Sequence, residues 1–390
     1  QLCNQAGIGL YDHYQYINIG GTYPFGNSNN PLKVPNASLG AMPAVDRTWE
    51  TIETYNAGID FATLNNRLSG TFDYFIKDNK NMFYAEEFPT ILGTSAPSIN
   101  GAHVRTNGWE LTLNWKDKIG KVGYRIGLNL SDNKTKVISL SDSRNPGHGL
   151  MGFVEGYPTN SFFIYEFDGF IKDEADLADY KTKMKGGVPT NLRVGDAKYV
   201  DKDGDGVLEP TLYKEGDPNS GDIVYKGTNN QRYLYGINLG LDWKGIDISA
   251  FLQGVGKWDC INGTYAGGGE VWKQSSQYFY HNTWSPDRPN AEYPRLTQDG
   301  GIHGYNYQWS DAPYKFFNNR YLRLKEVQIG YTFPTTLTKK IGVEKLRVYA
   351  TGMNLLEWDN LPNGFDPEAP YTENLIPFSR TYSIGVNVQF

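Results

Sequence analysis

Tyr382-Ser383-Ile384-Gly385-Val386-Asn387-Val388-Gln389-Phe390 closes the chain with Tyr, Ile, Val and Val on one side of a two-residue period and Ser, Gly, Asn and Gln on the other. Such a period belongs to a β-strand with one apolar and one polar face, because successive side chains leave the backbone on opposite sides. In a soluble sheet the apolar face lies on a core. In a transmembrane barrel it faces lipid, and the polar face looks into the lumen. The environment of this strand decides the fold.

The pattern recurs upstream. Glu50–Ala62 and Arg67–Phe83 read as a hairpin across Thr63-Leu64-Asn65-Asn66, with Leu68, Gly70, Phe72, Tyr74 and Ile76 on one face of the second arm. Trp109, Leu111, Leu113 and Trp115 alternate, Lys116–Lys121 turns, and Val122, Tyr124, Ile126, Leu128 and Leu130 return. A third hairpin runs from Tyr235 to Trp243, turns at Lys244-Gly245, and returns through Ile246, Ile248, Ala250 and Leu252. Val327–Phe333 and Leu346–Ala350 precede the closing strand. Tyr11–Gly20 is a weaker strand candidate, and 21–45, dense in Asn, Pro and Gly, reads as a loop. The best helical stretch is Asp173–Met184, where Ala175, Leu177 and Tyr180 fall at helical spacing.

Loop lengths carry more information than the strands. Turns after Ala62, Trp115, Trp243 and Phe333 are short, whereas the connections between them are long. Short turns on one side and long loops on the other are how outer-membrane barrels are built. Phe162–Ile171 breaks that parity if it spans, so residues 138–231 read as one long extracellular excursion and 258–318 as another. About ten strands remain across 1–390, an all-β antiparallel transmembrane barrel with long extracellular loops. An open sheet edge cannot be left in lipid, so these strands read as part of a larger barrel. The opening Gln-Leu-Cys-Asn-Gln has no initiator Met and no signal peptide, and reads as a piece of a longer chain.

Composition bounds the rest. Lys and Arg total 37 against 43 Asp and Glu, a net charge of −6, and no basic run occurs, which disfavours a nucleic-acid partner. The 14% aromatic content is high, and no apolar run approaches the ~20 residues of a membrane helix. Cys3 and Cys260 match no metal or redox spacing and read as unrelated thiols, with a disulfide open in an oxidising compartment.

The chain resembles the C-terminal half of a SusC/RagA-type TonB-dependent outer-membrane transporter over nearly its whole length. The resemblance rests on Gly108-Trp109-Glu110-Leu111, on Gly195-Asp196 followed by Tyr199-Val200-Asp201-Lys202-Asp203-Gly204-Asp205-Gly206, and on Tyr235-Gly236-Ile237-Asn238-Leu239 with Phe251-Leu252-Gln253-Gly254. Trp284-Ser285-Pro286-Asp287, Tyr293-Pro294-Arg295-Leu296, Tyr321-Leu322-Arg323-Leu324-Lys325, Gly330-Tyr331-Thr332-Phe333-Pro334, Leu346-Arg347-Val348-Tyr349, Asn354-Leu355, Phe365-Asp366-Pro367-Glu368 and the terminal Phe390 continue it. The resemblance implies a barrel of about 22 strands in the cell outer membrane, with a plug and a TonB box that lie outside this sequence. It also implies a SusD/RagB-like surface lipoprotein as lid, the TonB complex as energy source, and oligosaccharides, less often oligopeptides, as substrate. A terminal Phe resembles the signal read by the barrel-assembly machinery. The competing reading is a surface β-protein that transports nothing.

Two groups of residues stand out chemically. Asp201, Asp203 and Asp205 alternate along a Gly-containing turn, where their carboxylates and the Val207 carbonyl can converge on a hard cation such as Ca2+ or Mg2+. The twelfth loop position is Leu212 rather than Glu, so Glu209, Glu215 or Asp217 has to complete the set; a solvated acidic turn is the alternative. Trp258, Trp272, Tyr278, Tyr280, Trp284, Tyr305 and Trp309 crowd the second excursion. Their rings suit stacking on sugars, and equally suit packing of the loop on itself or on a lid. Trp49, Tyr84, Trp115, Trp243, Trp358 and Tyr382 read as interfacial girdles. Asp73, Glu110, Asn114, Arg125, Asn129, Asn238, Asp242 and Gln328 read as lumen-facing. Five dispersed histidines, with no paired carboxylates and no phosphate loop, point away from an enzyme.

Overall fold

The computed structural model describes the chain apart from residues 1, 4–10, 12, 26–31, 41, 45–46, 86–90, 92–97, 142–145, 262–280, 362–365 and 369–377. Its largest element is a 10-stranded antiparallel sheet in which each strand lies beside its neighbour in sequence order. The strands are β1 (Leu2–Cys3), β2 (Glu50–Thr63), β3 (Leu68–Ala85), β4 (Ser98–Ile119), β5 (Val122–Leu140), β6 (Arg232–Trp243), β7 (Ile246–Lys257), β8 (Tyr321–Thr332), β9 (Lys345–Asp359) and β10 (Thr381–Gln389). β1 and β10 are its edges, and the sheet does not close on itself. Every tight turn falls at one end. Lys244 and Gly245 take φ of 48° and 88°, the left-handed pair that lets a two-residue turn follow the twist of its strands.

Register carries the alternation across the whole sheet. Ile59, Phe72, Leu111, Leu130 and Tyr235 form one row, and Leu241, Ile248, Ile329, Ala350 and Ile384 form another. No described residue covers these positions: Ile59 is 66%, Ile329 52% and Ile384 82% exposed. A soluble domain does not leave a continuous apolar belt of this size in water. The opposite face carries Asp73 opposite Glu110, Asn238 opposite Phe251, and Gln328 opposite Thr351.

The buried core lies in the long connections at the other end. Ser161–Tyr165 pairs with Gly149–Met151 and Ile223–Thr228, Phe167–Phe170 pairs with Ala197–Tyr199, and Asp259–Ile261 pairs with Phe316–Asn318. The helices α1 (Glu174–Lys183) and α2 (Gly300–Asn306) also lie in this loop domain. Asp173 starts α1 by accepting the Asp176 N–H at 2.9 Å. Phe163, Ile171, Tyr199, Ile223 and Ile302, each at most 1% exposed, centre the packing. Burial of each such side chain contributes roughly 1.5–3 kcal/mol.

Two local expectations are corrected. Tyr11–Gly20 supplies no strand of the main sheet, whose first strand is Leu2–Cys3. Ile17–Phe25 instead pairs with Leu32–Leu39 in a separate ribbon, so much of 21–45 is extended rather than loop. A two-stranded ribbon leaves an outer edge on each strand, which is where Pro24 and Pro35 can sit without forfeiting a ladder bond. The wall strands also outrun their apolar alternation: β3, β4 and β5 have 18, 22 and 19 residues, about twice the ~10 that cross a bilayer.

Candidate functional site

The polar face of the sheet is a groove rather than a packed surface. Near the tight-turn end it encloses about 720 Å3, lined in part by Asn66, Ser69, Asn114, Asn238 and Ser249. Two ion pairs lie on this face: Arg125 Nη1 donates to Asp242 at 3.2 Å, and Arg347 Nε donates to Asp247 at 3.0 Å and Nη2 to Gln328 at 2.7 Å. Thr112 donates to Asn129 at 3.1 Å. The expected lumen residues Asp73, Glu110, Asn114, Arg125, Asn129, Asn238, Asp242 and Gln328 all share this face by register.

At the opposite end, residues far apart in sequence meet in joints. The Asp196 carboxylate, fully buried, accepts from Arg295 Nη2 at 3.0 Å, Asn306 Nδ2 at 2.9 Å and the Arg193 N–H at 2.7 Å. Gly195 beside it has φ 89°, and a Cβ there would lie 2.2 Å from the Trp284 ring. Two motifs read separately in the sequence, Gly195-Asp196 and Tyr293-Pro294-Arg295, are thus two halves of one contact. A second joint holds Arg323, 1% exposed, whose Nη2 donates to Glu357 at 2.8 Å and Asp366 at 2.7 Å. Lys325 reaches Glu368 at 2.8 Å, and the Phe378 ring lies 5.3 Å from the Arg323 guanidinium. A third links the two excursions: Glu166 accepts from Lys202 at 2.5 Å and Lys226 at 2.7 Å, while Lys226 also pairs with Asp311 at 2.9 Å. Those hydrogen bonds from Lys202 and Lys226 hold the Glu166 carboxyl below its ordinary range.

Most described aromatic candidates serve this packing. Trp258 is 8% exposed and donates Nε1 to Asn229 Oδ1 at 2.7 Å. Tyr305 is 7% exposed; its hydroxyl meets that of Tyr180 at 2.9 Å, and burial drives it well above the ordinary tyrosine range. Trp284 lies against Gly195, and Trp309 covers Gly149 with Lys315 6.0 Å from its ring. Trp272, Tyr278 and Tyr280 lie outside the described residues. Among the girdle candidates, Trp49, Trp243, Trp358 and Tyr382 are 46%, 42%, 52% and 75% exposed, whereas Tyr84 turns to the Phe153 ring at 6.2 Å. Phe390 follows β10 and is 87% exposed. The Cys260 side chain is buried.

The acidic turn is shaped by its own backbone. Gly204 and Gly206 take φ of 82° and 88°. Asp201 accepts the Gly204 and Gly206 N–H groups at 2.7 and 2.8 Å, and Asp205 accepts that of Val207 at 2.6 Å. Carboxylate oxygens of Asp201, Asp203 and Asp205 lie within 4.8 Å of one another, and Glu209 does not join that group. Sequence reading missed Asp222, which is fully buried and clamps both flanks by accepting Lys202 N–H at 2.5 Å and Glu209 N–H at 2.8 Å. Burial, with Asp203 and Asp201 nearby, pushes the Asp222 carboxyl above its ordinary range.

The model of the family described as TonB dependent receptor-like, beta-barrel, matches residues 9–205. TonB-dependent receptor P3 of Formosa agariphila is 27% identical over 370 residues, covering 88% of this chain and 34% of the relative. TonB-dependent receptor SusC of Bacteroides thetaiotaomicron is 24% identical over 422 residues, covering 100% of this chain and 37% of the relative. The chain therefore spans little more than a third of the length of these relatives. A solved structure of the RagAB peptide transporter superposes with a TM-score of 0.71 at 22% identity, covering 99% of this chain and 39% of that one. With its belt of exposed apolar residues, its polar inner wall and its loop domain, the chain belongs to the TonB-dependent receptor-like β-barrel family of the outer membrane.

Proposed function

We propose that this chain supplies part of the wall and the extracellular canopy of a TonB-dependent importer, working with a SusD/RagB-like surface lipoprotein to take up oligosaccharides. The observation that carries the transport reading is the single-layer sheet itself. Its apolar face is uncovered and its opposite face is polar and grooved, as a wall between lipid and an aqueous lumen requires. Its two open edges would be costly in lipid, so further strands have to complete the barrel, and a plug with a TonB box would couple transport to energy. Phe390 would serve as the assembly signal. The groove's neutral amides and hydroxyls, Asn114, Asn238, Ser69 and Ser249 among them, favour a polyhydroxylated solute, since each can both donate and accept. The RagAB fold likeness supports oligopeptides as the second reading. Purifying the full-length protein from its membrane and identifying what accompanies it tests both: a glycan with a lipoprotein supports the first, and a heterogeneous peptide mixture supports the second. A protein that stays monodisperse in plain buffer without lipid, detergent or partner contradicts transport altogether.

The acidic turn is read as a structural site for one divalent cation, Ca2+ or Mg2+, held by Asp201, Asp203 and Asp205 with the Val207 carbonyl. Glu209 would have to swing in to complete it. Calcium at a hundredfold excess over its Kd should stabilise the loop domain by about 2.7 kcal/mol, and Asp203→Asn with Asp205→Asn should abolish that shift. Because the Asp222 pKa is raised from 3.8, the stability held by its protonated form is complete below about that value and is lost as pH rises through the raised one. A bound cation opposes that loss, so the calcium effect should grow with pH across this window. Calorimetry that finds no binding at neutral pH rules the ion out.

A further inference from the structure

We propose that the outer face of the wall just above its apolar belt, centred on Lys134 and Lys136, binds phosphate-bearing headgroups of the outer-leaflet lipid. The proposal rests on the membrane reading above and adds a site to it. On β4 and β5 the belt ends at an aromatic row, Tyr74 opposite Trp109, and Trp109 stands opposite Asp132. Aromatic rows of this kind sit at the level of lipid headgroups. β5 continues beyond the belt with the same two-residue phase, so Asp132, Lys134 and Lys136 follow Leu128 and Leu130 on the outward face. At ~3.4 Å per residue, the two lysines stand about 7 and 14 Å along the strand beyond Asp132.

Charge pairing singles these lysines out. In the same outward band Lys80 pairs with Glu53 at 2.8 Å, Arg105 is bidentate on Asp78 at 2.9 and 3.0 Å, and Arg232 takes Asp132. His103 also reaches Asp78, at 2.8 Å. Every carboxylate of the band is thereby used, and Lys134 and Lys136 have no ion-pair partner among the described residues. Both are exposed. Lys136 stands directly opposite Arg105, whose charge is already taken by Asp78, so no carboxylate on this row is left for the lysine. An anionic headgroup fits: it is multivalent, it sits at this height, and its acyl chains continue onto the belt below. The surface is thus continuous with the lipid-facing wall.

The test uses full-length protein in phosphatidylcholine nanodiscs, with lipid A as the probe and native mass spectrometry counting what stays bound. Wild type should retain lipid A over phosphatidylcholine. Lys134→Gln with Lys136→Gln should weaken retention about 25-fold, each basic residue near a charged surface contributing roughly five-fold. Arg105 is left intact, because removing it would strand Asp78. Thr112→Ala on the opposite face is the control and should change nothing. Equal retention by wild type and the double variant overturns the headgroup site while leaving the membrane reading standing. Failure of wild type to enter nanodiscs overturns both.

Discussion

Asp196→Ala should unfold or loosen the loop domain while the ten-stranded wall keeps its structure. Asp196 is fully buried and takes three hydrogen bonds, from Arg295, Asn306 and the Arg193 backbone. Removing one partner of a buried charged pair leaves the other uncompensated and costs about 3–5 kcal/mol. The cost falls on the contact that joins the two excursions, so amide exchange in the full-length protein should accelerate in 146–231 and 281–318 together. Asp196→Asn, which keeps an acceptor for Asn306, should cost less. Exchange that rises in only one excursion would mean the two do not fold as a unit.

Leu239→Arg should destabilise the protein in a bilayer by about 2–4 kcal/mol, the cost of an arginine on the lipid face near the midplane. Asn238→Arg, one residue away, should be nearly neutral. Leu239 is 41% exposed on the belt between Ile126 and Ala250, whereas Asn238 faces the groove opposite Phe251. The two variants add the same charge at the same depth and differ only in the face that carries it. Urea unfolding in phospholipid bilayers measures both, and equal midpoints would remove the distinction between lipid and lumen.

The wall was legible in sequence because lipid imposes one rule on every strand that crosses it. Leu111, Leu128, Ile237 and Leu252 therefore declare their face individually, and the hairpin turns declare themselves through Asn65-Asn66 and Lys244-Gly245. Above the belt the rule lapses. Read from sequence, β5 ends at Leu130 because both faces turn polar from Ser131 to Lys136, although the strand pairs on to Leu140 with a shift of register at Ile138. The acidic turn was readable from its spacing, since alternation of Asp with Gly204 and Gly206 states its geometry locally. Asp222 was not, because its two backbone partners, Lys202 and Glu209, lie 20 and 13 residues away. The joints were half legible. Gly195-Asp196 and Arg295 were marked as motifs, but only the fold brings an acid and a base 99 residues apart into contact. Trp258 and Tyr305 show the same limit, since an aromatic side chain in a long loop looks alike from sequence whether it stacks on a sugar or fills a core.

Single nitroxides placed along residues 382–389 of the full-length protein, reconstituted in bilayers, report most directly whether the apolar face of the closing strand meets lipid. Oxygen, which concentrates in the hydrocarbon, should be most accessible at Ile384, Val386 and Val388 and least at Ser383, Gly385 and Asn387, giving a period of two residues across β10. A flat profile, or oxygen access no higher at Ile384 and Val386 than at Ser383 and Asn387, would contradict a membrane-spanning wall.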